Sequence, residues 1–288
     1  MEKLVSICIP TYNGEKYLQE ALDSVKAQTY KNIEVIVSDN QSKDKTLEIC
    51  EQFKSEVDFP VFIHSHTQSG IGENWNNTIE KSNGDYIKFL FQDDILEKNC
   101  VEVMMQYLAQ YNLQAVVSKR NIINAESQLV TEGSWFNDFN DLQKPAGIPT
   151  DEFYIFSKKN LKNLNYDRYL VNNIVGEPCV SLFTKNVFKK VGRFDSNLKQ
   201  ALDYVYWLRV LAKYDIGIIP EKIVKFRYHS EQTSNQNYLN NLNEEQFISK
   251  ILHNDLLFYI GSKNIKNHLK QRYPLLKRLV ALRYRIFP

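Results

Sequence analysis

Over its first hundred or so residues the chain alternates short apolar runs with amphipathic stretches, and each apolar run ends in a polar turn. Residues 4–10 read as a strand. Residues 14 to about 28 read as a helix with Tyr17, Leu18, Ala21, Leu22 and Val25 turned inward. Residues 33–38 form a second strand ending at Asp39, and a helix opens at 42–45, with Ser42 as its cap, and runs to about Lys54. A third strand at 61–64 is followed by a loop with Gly70 and Gly72, then by a helix over about 73–81 closed by Asn83-Gly84. Residues 86–91 are a fourth strand. Alternation of this kind requires a parallel sheet wound with helices, because each element buries its apolar face on the next.

The alternation continues less regularly. A helix is expected at 99–110, a strand at 115–119, a strand at 178–184, helices at 185–191 and 203–214, and two short strands at 216–219 and 223–228. Between 121 and 170 periodicity fades and the chain becomes rich in Asn, Asp and aromatic residues, as suits an irregular substrate-facing segment. No repeat or low-complexity linker divides the chain. It reads as one composite domain of two halves, 1–112 and 113–238, with a helical tail over 239–288.

The tail separates charge. Residues 262–288 carry eight Lys or Arg and no acid, and against an overall charge of +2 this leaves −6 for the remainder. Ile265, Leu269, Leu275, Leu276, Leu279, Val280, Leu282 and Ile286 are interleaved with those cations. Such a segment fits peripheral contact with an anionic membrane, or a terminal helix with a solvated cationic face. Nothing else resembles a nucleic-acid module, so no nucleic-acid partner is expected. No run of 18 apolar residues occurs. Cys8, Cys50, Cys100 and Cys179 are widely spaced and form no CxxC pair, which argues for reduced buried thiols in a cytoplasmic protein.

Candidate chemistry gathers at strand ends. The run from Tyr86 to Phe91 stops at Gln92-Asp93-Asp94, and adjacent carboxylates at such an edge suit a divalent cation or a solvated turn. Asp39 and the turn Pro10-Thr11-Tyr12-Asn13-Gly14 would share that edge, forming a crevice suited to a nucleoside; a turn aspartate is the simpler alternative. There is no GxGxxG and no GxxxxGK[ST], which argues against a dinucleotide enzyme or a P-loop NTPase. Asp203, at a helix start, is a cap or a general base. Arg227-Tyr228-His229, with Gln232 and Ser234 beyond, would supply cationic and donor groups to phosphate, or a metal ligand.

These residues carry a resemblance. The stretch from Ser6 to Asn13, Ser24 with Gln28-Thr29-Tyr30, the stretch from Glu34 to Asp39, Trp75-Asn76, Gly84-Asp85-Tyr86-Ile87 and the Asp pair closely resemble family 2 glycosyltransferases. So do Gly176-Glu177-Pro178, Gly192-Arg193-Phe194-Asp195, the stretch from Asp203 to Arg209, and that from Arg227 to Ser234, in the family's order across roughly residues 3–235. The resemblance implies a GT-A fold, a Rossmann-like mixed α/β sheet flanked by helices, here with a C-terminal helical tail. It implies transfer of a sugar from a nucleotide diphosphate sugar, usually a uridine diphosphate sugar, to a glycan or lipid-linked glycan acceptor in cell-surface polysaccharide synthesis. By the same resemblance Pro10, Thr11, Tyr12, Glu15, Asp39, Trp75, Asn76, Gln92 and Asp93 would contact the donor. Asp93, Asp94 and His229 would hold Mn²⁺ or Mg²⁺. Glu177, Arg227 and His229 would lie near acceptor or diphosphate, and Asp203 would be the base of an inverting transfer.

Three positions depart from the family's pattern. Phe91 replaces the first Asp of a DxD motif, Leu202 replaces the Glu before the base, and Trp75 stands where many relatives carry Arg. Two other classes share part of the pattern. A sugar-1-phosphate nucleotidyltransferase would need a glycine- and basic-rich phosphate loop that is not visible, and a non-catalytic nucleotide-sugar-binding protein would bind without turnover.

Overall fold

The computed structural model of this 288-residue chain describes residues 2–67, 69–149, 151–163, 173–232 and 244–259. Strands β1 (Val5–Thr11), β2 (Ile33–Asp39), β3 (Val61–Ser65) and β4 (Tyr86–Phe89) are parallel and lie in the order β3-β2-β1-β4. Every residue of β1 and β2 is buried, the pattern of strands covered on both faces. Leu18, Ala21, Leu22 and Val25 form the buried stripe of α1 (Leu18–Lys26), as the spacing predicts. Helix α2 (Thr46–Ser55) packs on β3, and α3 (Ile71–Lys81) lies across β1 and β2. The chain winds outward from β1 to β3 and then returns to β4 on the other side of β1. That reversal opens a crevice at the carboxyl ends of β1 and β4, where open α/β sheets take ligands.

Beyond β4 the sheet becomes mixed. Strand β8 (Ser181–Thr184) runs antiparallel between β4 and β6 (Ala115–Ile123), and β6 is parallel to β9 (Ile216–Arg227). The short strands β5 (Ile95–Leu96) and β7 (Tyr154–Phe156) pair antiparallel with β9. The two strands expected at 216–219 and 223–228 are one bulged strand, whose register slips between Ser118↔Ile219 and Lys119↔Lys222. Pro220 falls in the slip, where its missing N–H costs no ladder bond. The expected strand at 178–184 begins as a 3₁₀ turn, Pro178–Val180, before β8.

The remaining α-helices among the described residues are α4 (Cys100–Gln110), α5 (Ser134–Phe139), α6 (Lys185–Val191), α7 (Leu202–Leu211) and α8 (Glu245–Asn254). Helix α8 packs on α7 and begins the expected tail; the basic segment 262–288, and Ser234, lie outside the described residues. Among the described residues no helix is long and apolar enough to cross a membrane. Ser42, expected as the cap, is engaged by Asp39; the helix begins at Thr46 after Lys45, which makes no side-chain cap bond, and Asp44 accepts the Thr46 N–H at 3.0 Å. All four cysteines are buried and free, and burial pushes the thiols of Cys8 and Cys50 up to about 12.

Candidate active site

On the β1–β2 side, two loops are laced together by short polar groups. Asp39 is fully buried at the end of β2: Oδ1 accepts from Thr11 Oγ1 at 3.0 Å and Ser42 Oγ at 2.5 Å, and Oδ2 accepts the Ser42 N–H at 2.9 Å. The Asn13 N–H donates to Ser42 Oγ, the Gly14 N–H to Thr46 Oγ1, and Glu15 Oε2 accepts the Lys45 N–H. Asp39, Thr11 and Glu15 therefore fix the shape of the crevice floor, while the Tyr12 ring stands 43 % exposed above the buried Pro10. Gln92, after β4, reaches across. Its Oε1 accepts the Tyr12 N–H at 2.8 Å and its Nε2 donates to the Tyr12 carbonyl at 3.1 Å. A Cβ on Gly14 would meet Gln92 Oε1 at 2.4 Å, so this closure of the two loop ends needs glycine.

The adjacent carboxylates have opposite fates. Asp93 is partly exposed and its Oδ2 lies 3.1 Å from His229 Nε2. Asp94 is buried; its Oδ1 accepts the Arg227 N–H at 3.0 Å, and burial, followed by the charge of Asp93, pushes its carboxyl well above the usual range. Asp94, expected at a metal, meets the end of β9 through Oδ1. Arg227, expected near acceptor or diphosphate, is likewise drawn into the fold. Its side chain is fully buried, donating to the Asp93 carbonyl at 2.8 Å, the Asn124 carbonyl at 3.1 Å, Ser127 Oγ at 2.9 Å and Glu20 Oε2 at 2.6 Å, with the guanidinium 4.5 Å from the Tyr17 ring centroid. The fork clasps the turn that carries Asp93, the turn after β6 and α1 together. Lys88, within β4, is also fully buried and donates to the carbonyls of Phe89 and Cys179; burial lowers its ammonium pKa.

Trp75 and Asn76, expected at the donor, face the core instead. Asn76 exchanges hydrogen bonds with the Phe194 backbone at 3.0 and 2.8 Å, and Trp75, 6 % exposed, packs edge-on to Phe194. The Trp75 ring also stacks on Phe91, with centroids 5.0 Å apart and planes 25° from parallel. Two of the three departures are thus one contact, an aromatic pair that extends the core up to the Asp93 turn.

Asp203 lies in the first turn of α7, partly open to the crevice. Its Oδ2 accepts from Asn173 Nδ2 at 2.8 Å and its Oδ1 from the Tyr204 N–H at 2.7 Å. Burial and then the charge of Glu177 raise its pKa to about 7. Asn173 also accepts the N–H groups of Val175 and Gly176, at 3.0 Å each, and so shapes the loop that presents Glu177. Gly176 has φ 119°, a conformation other residues avoid, and its carbonyl accepts the Trp207 indole N–H at 2.8 Å. Glu177 Oε1 is paired with the buried Arg120 at 3.2 Å. The Glu177 charge raises both Asp203 and Asp94, which ties the α7 side to the Asp93 turn. Leu202, the third departure, is a buried apolar residue beginning α7.

The sequence profile described as "Glycosyl transferase family 2" matches residues 6–192, more than half of the chain. The chain belongs to this family. A Rickettsia typhi protein described as an uncharacterized glycosyltransferase is 30% identical over 264 residues, covering 90% of this chain and 76% of that one. A Methanocaldococcus jannaschii protein with the same description is 27% identical over 249 residues, covering 85% and 77%. The S. aureus TarS fragment 1–349, in complex with UDP-GlcNAc, shares the fold at TM-score 0.64 and 17% identity, covering 94% of this chain and 80% of that one. The chain spans 35% of a longer Rickettsia bellii relative and 45% of a longer TarS chain. The central sheet and flanking helices are those of the GT-A fold, as expected, and the protein is a transferase by family.

For this family 2 glycosyltransferase, two residues of the Asp203 side escaped the sequence reading. Asn173 lies between the irregular stretch 121–170 and the strand expected at 178–184, and gave no signal. Arg120 did give one, as a charge inside the β6 run Ala115–Ile123, where a buried cation needs a partner.

Proposed function

We propose that this protein is an inverting, metal-assisted glycosyltransferase that takes its sugar from a nucleotide diphosphate sugar, with a uridine diphosphate sugar as the donor class. TarS, which shares the fold, has been crystallised with UDP-GlcNAc, and this supports the donor class. The observation that carries the reading is Asp203: a carboxylate near the crevice, held by Asn173, with its pKa raised to about 7 by burial and Glu177. That value suits a group that must take a proton at neutral pH and keep it through the transition state.

In the proposed reaction an acceptor hydroxyl gives its proton to Asp203. Its oxygen forms a bond to the anomeric carbon, and the bond from that carbon to the diphosphate breaks, the electron pair leaving with the diphosphate. The Thr11–Glu15 and Asp39–Thr46 loops would hold the nucleoside end, with the Tyr12 ring as the exposed surface. The donor set at the Asp93 turn fits a divalent ion: a partly exposed carboxylate oxygen and an imidazole nitrogen lie 3.1 Å apart, and diphosphate oxygens and water would complete the shell. Asp93 and His229 would hold Mn²⁺ or Mg²⁺; bound there, the ion would neutralise charge on the departing diphosphate. Among the described residues no third acidic, His or Cys side chain joins them.

A glycan or lipid-linked glycan of the cell surface is the proposed acceptor. The basic, apolar-interleaved sequence of 262–288 supports work at an anionic membrane face. The test is thermal stabilisation by nucleotide sugars with and without Mn²⁺, since a ligand that binds the folded state raises its melting temperature. A metal-dependent rise with a uridine diphosphate sugar, followed by its turnover, is expected. Pyrophosphate release from a nucleoside triphosphate, with no response to any nucleotide sugar, would overturn the proposal.

A further inference from the structure

The wall of the crevice beyond Glu177 carries an aromatic surface that the transfer chemistry leaves unused. Helix α5 (Ser134–Phe139) contains Trp135, Phe136 and Phe139, and none of its residues is buried. Trp135 and Phe136 pack against the core yet are only partly buried, as is Phe139. Trp135 lies flat on Tyr228, with centroids 4.2 Å apart and planes 19° from parallel, and is nearly coplanar in orientation with Phe226 at 6.3 Å. Both Trp135 and Tyr228 stay partly open to solvent.

Polar groups stand at the edge of this surface. The Arg120 guanidinium lies 5.2 Å from the Phe226 ring centroid, donates to the Phe139 carbonyl at 3.1 Å and pairs with Glu177. Arg120 is 5 % exposed, yet its Nε has no partner among the described residues, and neither has Glu177 Oε2. Buried polar atoms left in this state call for a ligand or water to complete them. Phe226 and Tyr228 alternate with Arg227 and His229 along the end of β9. The aromatic surface therefore faces the Arg120–Glu177 side, away from Tyr17, which contacts Arg227 and His229.

We infer that Trp135 and Tyr228, edged by Arg120 and Glu177, form a subsite for a sugar ring of the acceptor. A hexose suits such a surface: it offers a face of C–H groups to an aromatic ring and hydroxyls at its rim to charged side chains. Asn173 donates to Asp203 and accepts the N–H of Gly176, next to Glu177, so one loop borders both the base and the polar edge of the subsite. The inference rests on the glycosyl transfer reading, naming the class of compound that approaches Asp203.

The chain has three tryptophans, and Trp75 and Trp207 are buried, so acrylamide quenching of its fluorescence reports mainly on Trp135. The full chain is titrated with chitobiose, cellobiose and lactose at tens of millimolar. At least one is expected to shield the fluorescence from acrylamide, and Trp135→Phe to remove both the accessible signal and the shielding. Shielding by none of them, or shielding that persists in Trp135→Phe, overturns the subsite. In transfer assays Trp135→Ala is expected to raise the acceptor KM tenfold or more with a smaller change in kcat, while stabilisation by the nucleotide sugar is retained. An equal loss of donor stabilisation would mean that Trp135 is only structural and would overturn the inference. Saccharide shielding without any nucleotide-sugar stabilisation would sink the donor reading instead, so the two failures are distinct.

Discussion

The two sides of the crevice are held by different means. On the β1–β2 side, short neutral and carboxylate groups lace one loop to another: Thr11 and Ser42 on Asp39, Asn13 on Ser42, Thr46 on Gly14, Gln92 on Tyr12. On the side of β9 and α7, a few fully or largely buried charges carry the architecture: Arg227, Lys88, Asp94 and the Arg120–Glu177 pair. A neutral hydrogen bond contributes about 1 kcal/mol net, and a lattice of them loses little when one is removed. A buried charge is costly to leave unpaired. Single changes should therefore cost less on the β1–β2 side than on the side of β9 and α7.

The largest effect that sharpens this contrast belongs to Asp203. Asp203→Asn keeps the acceptor for Asn173 but has no basic oxygen, so transfer should fall by roughly 10²–10⁴-fold, the usual contribution of a general base. Stabilisation by the nucleotide sugar should persist. Transfer at the wild-type rate would refute the assignment of Asp203 as base.

Next in size is Arg227→Met. It removes the donors to the Asp93 and Asn124 carbonyls, to Ser127 and to Glu20 at once, and should cost roughly 3 kcal/mol in a urea melt. Ser42→Ala, which takes two contacts from the other side, one of them to the Asp39 carboxylate, should cost about 2 kcal/mol. Equal losses in the two variants would erase the distinction between the two walls.

That distinction also explains what the sequence made legible. The βα alternation, the parallel sheet and the GT-A family followed from period and motif, since β1 and β2 are buried along their whole length. Type and place of a site residue were readable, but not its direction. Asp93 and Asp94 are the same residue type one position apart; the turn after β4 sends one toward His229 and the other under β9. Arg227 follows a strand and precedes a His, which suggests phosphate, yet its partners come from α1 and from the turn after β6, which no local pattern reveals. Trp75 and Phe91 were separate oddities in sequence and become one stack only in three dimensions. Helix α5 and strand β7 are too short for periodicity to mark.

The divergence of the two carboxylates gives a smaller, more selective test. If Asp93 and His229 hold the ion, Asp93→Asn should abolish the part of donor stabilisation that depends on Mn²⁺. Asp94→Asn should preserve it, because the Asn carbonyl can still accept the Arg227 N–H. Thermal shifts with and without Mn²⁺ decide this; loss of the metal response in Asp94→Asn would return that residue to the metal site.

The smallest effect is a displacement in pH, and it asks how far the acceptor wall sets the chemistry of its base. Asp203 has an ordinary pKa of 3.8, raised to about 7 first by burial and second by the Glu177 charge. Transfer needs the carboxylate, so the rate should rise with pH through about 7. Glu177→Gln removes the second cause and leaves the first, so the acid limb should move to lower pH yet stay above the ordinary carboxylate range. The same shift has a sign in stability. A carboxyl whose pKa is higher in the folded protein than in the unfolded chain destabilises the fold as pH rises from 3.8 through about 7, and the penalty is constant above that. Asp203→Asn lacks the penalty. Its melting temperature relative to wild type should therefore climb between pH 4 and pH 7 and then level off. A difference that stays flat across that window would mean that Asp203 titrates as an ordinary surface acid, and the acceptor wall would lose its claim to have tuned it.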